Sequence, residues 1–404
     1  PPLDGDRRVG IAVIGGGFTG LSTALHLAEG GAEVAVIEAR EPGWGASGRN
    51  GGQVNPGLKH DPDQVEADFG PELGSRMVAM SGAAPDVVFE LVRRYQIDCA
   101  ARQSGTLRAA FGQRAAAGIR RSTAQWTRRG KPVTLLERGE IAAATGSRRY
   151  LCAMLDRRGG QVNPLGYARG LAQAAQQAGA AVHGGTPATR VRRDGHDWVV
   201  ETPTGTLRAD TVVLATNAYS DGLWPGLARS VVPVFSGIVA SEPLSDDLAR
   251  AVMPTRSVLY EMGSVTVYYR LDERNRLLMG GRCPLRDIAA PAELSHLSGY
   301  ALRLWPELRG LRWTHAWSGQ LAVTPDHYPH VHEPVPGVIA CLGYNGRGVA
   351  MSTAMGRQLA HRILTGRAID MPITTMKAIR FHALWRSAVA ARVTYGRIAD
   401  WLRL

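Results

Sequence analysis

The 404-residue sequence lacks the segments that would place a chain in a membrane. No apolar run reaches the roughly 18 residues that a spanning helix needs, and residues 1–8 have no apolar core of the kind found in secretory signals. Hydrophobic residues make up 45% of the chain and charged residues 20%, which is ordinary for a folded globular protein. We therefore expect a cytoplasmic protein whose length corresponds to two domains, or three.

Cysteine is scarce and scattered. The four cysteines are Cys99, Cys152, Cys283 and Cys341. They form no C-x-x-C pair and stand beside no histidine cluster, so the pattern excludes a disulfide framework and predicts neither a zinc site nor an iron–sulfur site. We expect reduced thiols and no metal.

Acidic residues are too few to balance the basic ones. Lys and Arg total 47 and Asp and Glu total 35, which leaves a net charge of +12. Such an excess is compatible with an anionic substrate, an acidic membrane surface or nucleic acid. The basic residues are mostly scattered arginines, without a basic stripe interleaved with aromatics, so we favour an Arg-rich globular protein and expect no nucleic-acid partner.

The strongest motif that is present lies near the start of the chain. Residues 9–14 form a short apolar run typical of a buried parallel strand, followed by Gly15-x-Gly17-x-x-Gly20 and a helical pattern. In this setting the glycines permit a tight turn, close approach of a pyrophosphate and close helix packing. Glu38, at the end of the next strand, is placed to bind a ribose and disfavours NADP. The pattern predicts a βαβ unit that binds a dinucleotide.

Two further glycine-rich turns follow later in the chain. Residues 44–52 are mostly small, so backbone there can approach a flat ring system, and Ser47 can bind a phosphate. Residues 343–348 lead into a helical pattern over 349–363, whose positive N-terminal end can face a group that gains negative charge. Between these turns, residues 57–150 are predicted to be mainly helical and residues 231–283 to be rich in strands.

Taken together and in order, these motifs carry a family resemblance. Besides the fingerprint they are Gly-Ala-Ser-Gly-Arg-Asn-Gly-Gly at 45–52, Val-Leu-Ala-Thr-Asn-Ala-Tyr at 213–219, Trp-Ser-Gly at 317–319 with Thr-Pro-Asp at 324–326, and Gly-Tyr-Asn-Gly-Arg-Gly at 343–348. The sequence resembles the FAD-dependent D-amino acid oxidase and glycine oxidase superfamily, and within it the γ-glutamylputrescine oxidoreductase branch. The resemblance spans about residues 9–365.

The resemblance implies an α/β (α+β) fold with a discontinuous Rossmann-type domain for FAD and a substrate domain with a large mixed β-sheet and inserted helices. We expect residues 1–56, 151–225 and 315–370 in the FAD-binding domain and residues 57–150 and 226–314 in the substrate-binding domain. Residues 371–404 are predicted to form a basic amphipathic C-terminal helix.

The resemblance also implies the residues that bind FAD. They are Gly15, Gly17, Phe18, Thr19, Gly20, Glu38, Ala39, Arg40, Ala46, Ser47, Arg49, Asn50, Gly51, Gly52, Val191, Ala215, Thr216, Gly319, Gly343, Asn345, Gly346, Arg347, Gly348 and Val349. Relatives that attach flavin covalently carry a cysteine or a histidine at the positions of Gly319 and Gly45 here. We therefore expect FAD to be bound noncovalently.

The chemistry implied is oxidation of a C–N bond in a small amine or amino acid, such as a γ-glutamyl amine, an N-methyl amino acid or a D-amino acid. Hydride passes to flavin N5, and water hydrolyses the resulting imine. Tyr268, His315 and Trp317 are the candidate catalytic residues of the cavity wall. Candidate substrate ligands are Arg49, Tyr269 and Arg282. A structural role for His315 and an outward orientation for Tyr269 remain open at this stage.

The electron acceptor is also open, because Ala350 stands where some oxidase relatives carry a lysine. The partner is either O2 or a membrane or soluble electron acceptor, as in a respiratory-type dehydrogenase. The basic tail leaves peripheral contact with the inner face of the membrane as an alternative to packing on its own domain. A tRNA-modifying flavoprotein is a remote alternative, and the sequence does not indicate the oligomeric state.

Overall fold

A computed structural model describes residues 1–263 and 265–401. The strands, in chain order, are β1 (Arg7–Ile14), β2 (Val34–Ile37), β3 (Gln53–Val54), β4 (Thr106–Ala110), β5 (Val133–Glu137), β6 (Cys152–Asp156), β7 (Gly160–Gln161), β8 (Ala181–His183), β9 (Arg190–Asp194), β10 (Asp197–Thr202), β11 (Gly205–Leu214), β12 (Val232–Pro243), β13 (Val258–Glu261), β14 (Tyr268–Leu271), β15 (Arg276–Arg282), β16 (Trp313–Val323), β17 (His330–Val335) and β18 (Val338–Leu342). The helices are α1 (Phe18–Glu29), α2 (Ala46–Arg49), α3 (Pro62–Arg94), α4 (Gln113–Arg128), α5 (Arg138–Thr145), α6 (Pro164–Gln177), α7 (Asp246–Ala251), α8 (Ser295–Leu304), α9 (Gly348–Thr365) and α10 (Trp385–Trp401).

The first sheet contains the predicted βαβ unit. Its order is β17-β18-β11-β1-β2-β8, and β10 and β9 extend from β11. Strands β18, β11, β1, β2 and β8 run parallel. Every residue of β2 is buried, as expected for a parallel strand covered on both faces. Helix α1 crosses from β1 to β2 and packs against α6 and α9.

The second sheet is mixed and also has eight strands, in the order β16-β12-β15-β14-β13-β4-β6-β5. One of its faces carries a hydrophobic core that includes Tyr150, Tyr269 and Trp305, which are fully buried. Helix α8 contributes Leu297 and Leu304 to this core. The α/β (α+β) fold class is therefore the predicted one, with a Rossmann-type sheet and a second large mixed sheet.

The sheets divide the chain at different points from the predicted domain boundaries. Strand β6 lies within the 151–225 block, and β16 (Trp313–Val323) begins in the 226–314 block and continues into the 315–370 block, yet both pair in the second sheet. The repeated Gly-Gly-Gln-Val-Asn-Pro segments at 51–56 and 159–164 meet as the antiparallel pair β3 and β7. The chain therefore passes between the two large sheets several times.

Two of the helix ends that the sequence pattern predicts are found in the structure. Asn163 precedes α6 and its Oδ1 accepts a hydrogen bond from the Gly166 N–H at 3.1 Å, while Pro164 takes the first helical position. Helix α9 ends at Gly366, which has a left-handed conformation with φ of +70°. These are the start and stop signals that the sequence pattern uses.

The tail forms helix α10, and residues 402–404 of the predicted C-terminal helix lie outside the described residues. Trp385, Val389 and Val393 form a half-buried stripe on α10, which lies against β12. Among the described residues, no helix is both long and apolar enough to cross a bilayer.

The tightest backbone contact in the first sheet is at Gly20, and we predict that Gly20→Ala destabilises the fold. A Cβ at this position would lie 2.0 Å from the Gly15 carbonyl oxygen, so the backbone of α1 must shift. Overpacking of this kind costs about 1–3 kcal/mol, and thermal unfolding measured by circular dichroism should show the loss.

Gly118→Ala in α4 is the matched control, because its Cβ meets only the Arg121 side chain at 4.0 Å. The control should keep or raise the unfolding temperature; an unchanged temperature for Gly20→Ala would contradict the prediction.

Candidate active site

The first glycine turn brings three backbone segments into contact. Gly15 has φ of +110°, and a Cβ there would lie 2.9 Å from the Ala215 carbonyl oxygen. A Cβ at Gly17 would lie 2.9 Å from Ser47 Oγ, and Ser47 Oγ accepts the Phe18 N–H at 3.0 Å. The first turn of α1 contains no acidic residue. Its free N–H groups are therefore available to an anion.

Glu38 ties this turn to the end of β2. Its Oε2 accepts the Gly16 N–H at 2.7 Å, and its Oε1 accepts the Arg40 N–H at 2.9 Å. The following stretch adds backbone contacts, because the Glu38 N–H binds the His183 carbonyl at 2.9 Å and the Thr186 N–H binds the Glu38 carbonyl at 2.8 Å. The carboxylate therefore lies at the glycine turn, as the sequence motif predicts for a ribose ligand.

The loop around α2 is held by its own side chains and by a buried arginine. Asn50 Oδ1 accepts the Gly52 N–H at 2.8 Å. Arg270 donates from Nε to the Gly51 carbonyl at 2.6 Å and from Nη2 to the Val162 carbonyl at 3.3 Å. Burial lowers the pKa of Arg270 to about 10. Sequence reasoning missed Arg270, although its position two residues after Tyr268 on β14 places both side chains on one face.

The third turn precedes α9, whose first helical turn also lacks an acidic residue. Asn345 Nδ2 donates to the Gly343 carbonyl at 2.6 Å and its Oδ1 accepts the Thr324 N–H at 2.9 Å. Arg347 donates from Nη2 to Tyr260 Oη at 2.7 Å and from Nη1 to the Pro56 carbonyl at 2.8 Å. The turn is thus connected to the second sheet through one guanidinium.

These turns line a single cavity, and many predicted cofactor residues meet there. The predicted residues in its wall are Gly17, Phe18, Thr19, Ala46, Ser47, Arg49, Asn50, Gly51, Ala215, Gly319, Asn345, Gly346, Arg347, Gly348 and Val349, together with Tyr268 and Arg282. Predicted cofactor residues that are not part of this wall are Gly15, Gly20, Glu38, Ala39, Arg40, Gly52, Thr216 and Gly343. The cavity also includes Asn217, which sequence reasoning missed and whose Oδ1 accepts the Gly343 N–H at 3.0 Å.

The opposite wall is one face of the second sheet. Strand register places Arg108, Tyr260 and Tyr268 side by side on β4, β13 and β14, and the row continues through Gly280 and Ile238 to Trp317. Residues directly opposite each other on neighbouring strands point to the same face. The row therefore faces the glycine turns of the first sheet.

Tyr268 fits between two glycines. A Cβ at Gly280 would lie 2.1 Å from the Tyr268 ring, and a Cβ at Gly51 would lie 2.7 Å from it. The phenol oxygen is 2.9 Å from Ser236 Oγ. Burial raises the pKa of Tyr268, against the opposing effects of the Ser236 hydrogen bond and the Arg282 charge. Tyr268 is therefore a neutral hydroxyl group held at the cavity wall.

The structure places two predicted site residues, Tyr269 and His315, outside the cavity, in line with the alternatives that the sequence left open. Tyr269 follows Tyr268 on the same strand and so points to the opposite face, where its hydroxyl is 2.6 Å from Tyr150 Oη in the core. His315 lies on the edge strand β16, is exposed to solvent and is 2.9 Å from Thr314 Oγ1. It does not reach the cavity. Alternation along the strand turns Tyr269 away, and His315 lies near the start of β16, four residues before Gly319, where that strand lines the cavity.

Other predicted residues have structural partners. Trp317 packs behind Tyr268 and its indole N–H donates to the Arg49 carbonyl at 2.9 Å, outside the cavity wall. The Arg49 guanidinium stacks over Trp44 at 4.4 Å from the ring centroid. Val191 pairs with Val200 in the β9–β10 hairpin, away from this cavity. The substrate role of Arg49 and the adenine contact of Val191 stay predictions.

Sequence reasoning missed two cations in the wall, Lys59 and Arg108. Arg108 is buried and pairs with Asp61 at 2.7 Å. Burial alone would raise the pKa of Asp61, but the Arg108 charge and the hydrogen bonds from Arg108 and Ser122 outweigh it and lower that pKa. Lys59 reaches solvent through the cavity. Burial, with repulsion from Arg347, Arg108 and Arg282, lowers the pKa of Lys59 to about 8.

The donor set fits a dinucleotide with a flat ring system. The first turns of helices α1 and α9 contain no acidic residue, so their N-terminal N–H groups suit phosphate and a ring that gains negative charge. Glu38 suits a ribose, and the missing Cβ atoms at Gly17 and Gly51 allow close approach. Among the described residues, no three His, Cys, Asp or Glu side chains form a group that could hold a metal ion. The fold and site define an enzyme of the Rossmann type that binds a nucleotide cofactor.

Comparison with known proteins identifies the family. The profile of the FAD dependent oxidoreductase family matches residues 10–362. The chain is 34% identical over 361 residues to γ-glutamylputrescine oxidoreductase of Escherichia coli K12, covering 89% of this chain and 84% of that protein. It is 28% identical over 434 residues to a D-amino acid dehydrogenase of Cereibacter sphaeroides, covering 94% and 97%. Its fold matches the crystal structure of glycine oxidase from Geobacillus kaustophilus with a TM-score of 0.76, at 24% identity, covering 92% and 99%.

The chain belongs to the family of FAD dependent oxidoreductases, and its cofactor is FAD. The resemblance seen in the sequence is therefore confirmed, as is the fold that it implied.

We predict that Glu38→Ala weakens FAD binding by about tenfold, because two backbone N–H groups lose their acceptor and hydrogen bonds of a carboxylate are worth about 1.5–3 kcal/mol. The measurement is the FAD dissociation constant of reconstituted apoprotein, followed by flavin fluorescence. Glu41→Ala is the matched control, because Glu41 makes only an exposed pair with Arg169 at 3.0 Å. Equal FAD affinity for Glu38→Ala and the wild type would contradict the assignment.

Proposed function

We propose that this enzyme oxidises the carbon–nitrogen bond of a small amine or amino acid. The observation that carries the proposal is Tyr268, an uncharged aromatic group held between Gly51 and Gly280 where the flavin-side loop meets the second sheet. The names of the relatives support it, since they include a γ-glutamylputrescine oxidoreductase and a D-amino acid dehydrogenase. Candidate substrates are γ-glutamyl amines, N-methyl amino acids and D-amino acids.

In the proposed mechanism, bound FAD supplies the hydride acceptor, and the chain prepares the substrate. An amine must be neutral to lose hydride. The positive charges of Lys59, Arg108 and Arg282 around the cavity disfavour a substrate ammonium ion, which lowers the pKa of the bound amine. Tyr268, with its hydroxyl held by Ser236, forms an apolar wall that orients the reacting carbon and excludes water. Water later hydrolyses the imine product.

We assign the glycine turns at 15–20, 46–52 and 343–348 to the ADP and flavin parts of the cofactor, and Arg282 to a substrate carboxylate. FAD is held without a covalent bond, because Gly45 and Gly319 stand where covalent relatives carry a reactive side chain. In domain terms, we assign residues 1–56, 151–225 and 315–370 to FAD and residues 57–150 and 226–314 mainly to the substrate. Strands β6 and β16 then belong to the second sheet although β6 and most of β16 lie in FAD-binding blocks.

We predict that Tyr268→Phe slows anaerobic reduction of the flavin by about tenfold, because loss of the hydroxyl held by Ser236 frees the ring from the orientation that positions the reacting carbon. The measurement is bleaching of the flavin absorbance on rapid mixing with a panel of γ-glutamyl amines, N-methyl amino acids and D-amino acids. Tyr269→Phe is the matched control, since its side chain lies in the core on the other face. That variant should lose stability but keep its reduction rate.

Two results of the same experiment would overturn the proposal. If no compound in the panel bleaches the wild-type flavin, amine oxidation is wrong. If Tyr269→Phe slows reduction as much as Tyr268→Phe does, Tyr268 is not part of the reacting site.

The electron acceptor distinguishes two versions of this function. In the first, O2 accepts the electrons and peroxide forms in air. In the second, a quinone or carrier accepts them, which the D-amino acid dehydrogenase relative and the tail favour. Phe381 and Leu384 are 77% and 63% exposed, and the tail carries Lys377, Arg380, Arg386 and Arg392 without an acidic residue from 371 to 399. Such a surface suits an anionic lipid headgroup layer.

The second version predicts that the FAD-loaded protein co-sediments with vesicles containing phosphatidylserine at low salt. Apolar and basic side chains of the tail would insert and pair with headgroups, so the double variant Phe381→Ser, Leu384→Ser should lose binding. Neutral phosphatidylcholine vesicles are the control. Peroxide formed in air in proportion to substrate, with no sedimentation, would leave only the first version.

A further inference from the structure

Three positively charged side chains lie in one part of the cavity wall. Lys59, Arg108 and Arg347 line it next to strands β4 and β13, and a smaller adjoining cavity shares Arg108, Arg347 and Tyr260. The chain contains only three lysines, against many arginines. One of them lies in this wall.

The negative charge nearby is limited. Arg108 pairs with Asp61 at 2.7 Å and also donates to Ser122 Oγ at 2.9 Å. Arg347 is held by the neutral acceptors Tyr260 Oη and the Pro56 carbonyl. Within the described residues, Lys59 has no carboxylate within ion-pair distance. Among the described residues, the ion pair of this group is Arg108 with Asp61, so its three cations carry an excess of positive charge that a bound anion would neutralise.

A second acidic residue, Glu261, also belongs to the cavity lining, but its carboxylate is engaged by hydroxyl groups of the core. Tyr260 lines the cavity beside Arg347, whereas the carboxylate of its neighbour Glu261 accepts hydrogen bonds from Tyr150 and Tyr300, both at 2.6 Å. Those two tyrosines belong to the core on the opposite face of the sheet. The sheet therefore presents cations to the cavity and keeps Glu261 bound to hydroxyl groups behind it.

The cation group is distant from the proposed reacting centre. Arg108 is directly opposite Tyr260, and Tyr260 is directly opposite Tyr268, so two strand spacings separate Arg108 from Tyr268. Each spacing is about 4.8 Å, which puts the two backbones about 10 Å apart. A carboxylate attached to the oxidised carbon itself lies too close to that carbon to bridge this distance. A carboxylate several bonds away can do so.

We infer that Lys59, Arg108 and Arg347 bind a carboxylate that the substrate carries at the end remote from its oxidised C–N bond. The inference rests on the proposed amine oxidation and names its substrate class, an amine or amino acid with a distal acid group. Lys59 supplies a mobile point charge, while Arg108 and Arg347 supply guanidinium N–H donors fixed by Asp61 and Tyr260.

The test measures binding without turnover, so it does not depend on the reaction. The FAD-loaded protein is titrated with glutarate and with its uncharged diamide, glutaramide, by calorimetry. Wild type should bind glutarate at least about tenfold more tightly than glutaramide, since one charge-assisted hydrogen bond is worth about 1.5–3 kcal/mol. Lys59→Gln should weaken glutarate by about tenfold and leave glutaramide unchanged. Lys59→Arg should restore affinity.

Two further variants sharpen the test. Lys377→Gln removes an exposed lysine outside the cavity and should change neither affinity. Asp61→Asn keeps the hydrogen-bonding shape beside Arg108 but removes the competing negative charge, so it should tighten glutarate binding. The opposite signs expected for Lys59→Gln and Asp61→Asn separate a charge effect from misfolding.

The pH dependence provides an independent readout. Because the pKa of Lys59 is lowered to about 8, glutarate affinity should fall as the pH rises through and above that value, and Lys59→Arg should abolish the fall. The charged groups facing Lys59 are Arg108, Arg282 and Arg347, and the lowered pKa of Asp61 keeps that carboxylate ionised. His327 also faces Lys59, but its pKa is lowered by burial and by Lys59, so it is already neutral there.

The inference would be overturned if glutaramide bound as tightly as glutarate, or if Lys59→Gln left glutarate affinity unchanged. Either result could coexist with flavin bleaching by an amine, which would leave the proposed oxidation intact. Conversely, if no amine bleaches the flavin but glutarate still binds more tightly than glutaramide, the amine assignment is wrong and the three cations bind a carboxylate of another kind of substrate.

Discussion

Close backbone approach at positions without a Cβ atom is the constraint on which the rest of this structure depends. Gly20 lets α1 pack onto the Gly15 carbonyl, and Gly17 lets the same turn approach Ser47. On the other side of the cavity, Gly280 and Gly51 leave the space that the Tyr268 ring fills. Any side chain at these positions would push apart the first sheet, the loop around α2 and the second sheet. The cofactor cavity can form only because the backbones of these segments come into close contact.

The second physical theme is the separation of polar groups by the two faces of the second sheet. One face carries Tyr260 and Tyr268 toward the cofactor cavity, and the other carries Tyr269, Tyr150 and Tyr300 in the core, where the last two donate to the Glu261 carboxylate. The buried carboxylate is satisfied by phenol hydroxyls, as a charged group away from water must be. The cavity consequently keeps an excess of cations, which matches a cofactor with phosphates and the proposed acidic substrate.

Sequence reasoning succeeded where a function needs a fixed local pattern. The glycine fingerprint, Glu38 and the cap at Asn163 all depend on contacts or conformations within a short segment, so spacing alone predicts them. It failed where orientation or distance along the chain decides. Strand alternation directs Tyr269 away from the face that carries Tyr268, and His315 lies at the end of β16 that is remote from the cavity lining at Gly319.

The sequence by itself indicated the βαβ unit, through glycines and a carboxylate at set spacings, and the family with its FAD cofactor, through five motifs that occur in a fixed order. Only the tertiary structure decided which cations share the cavity, since Lys59, Arg108 and Arg347 come from three separate segments. Sheet pairing brings such segments together, and a single sequence carries no direct record of which strands pair. Electrostatic fields depend on those distances, so the charge of the pocket is a property of the folded chain.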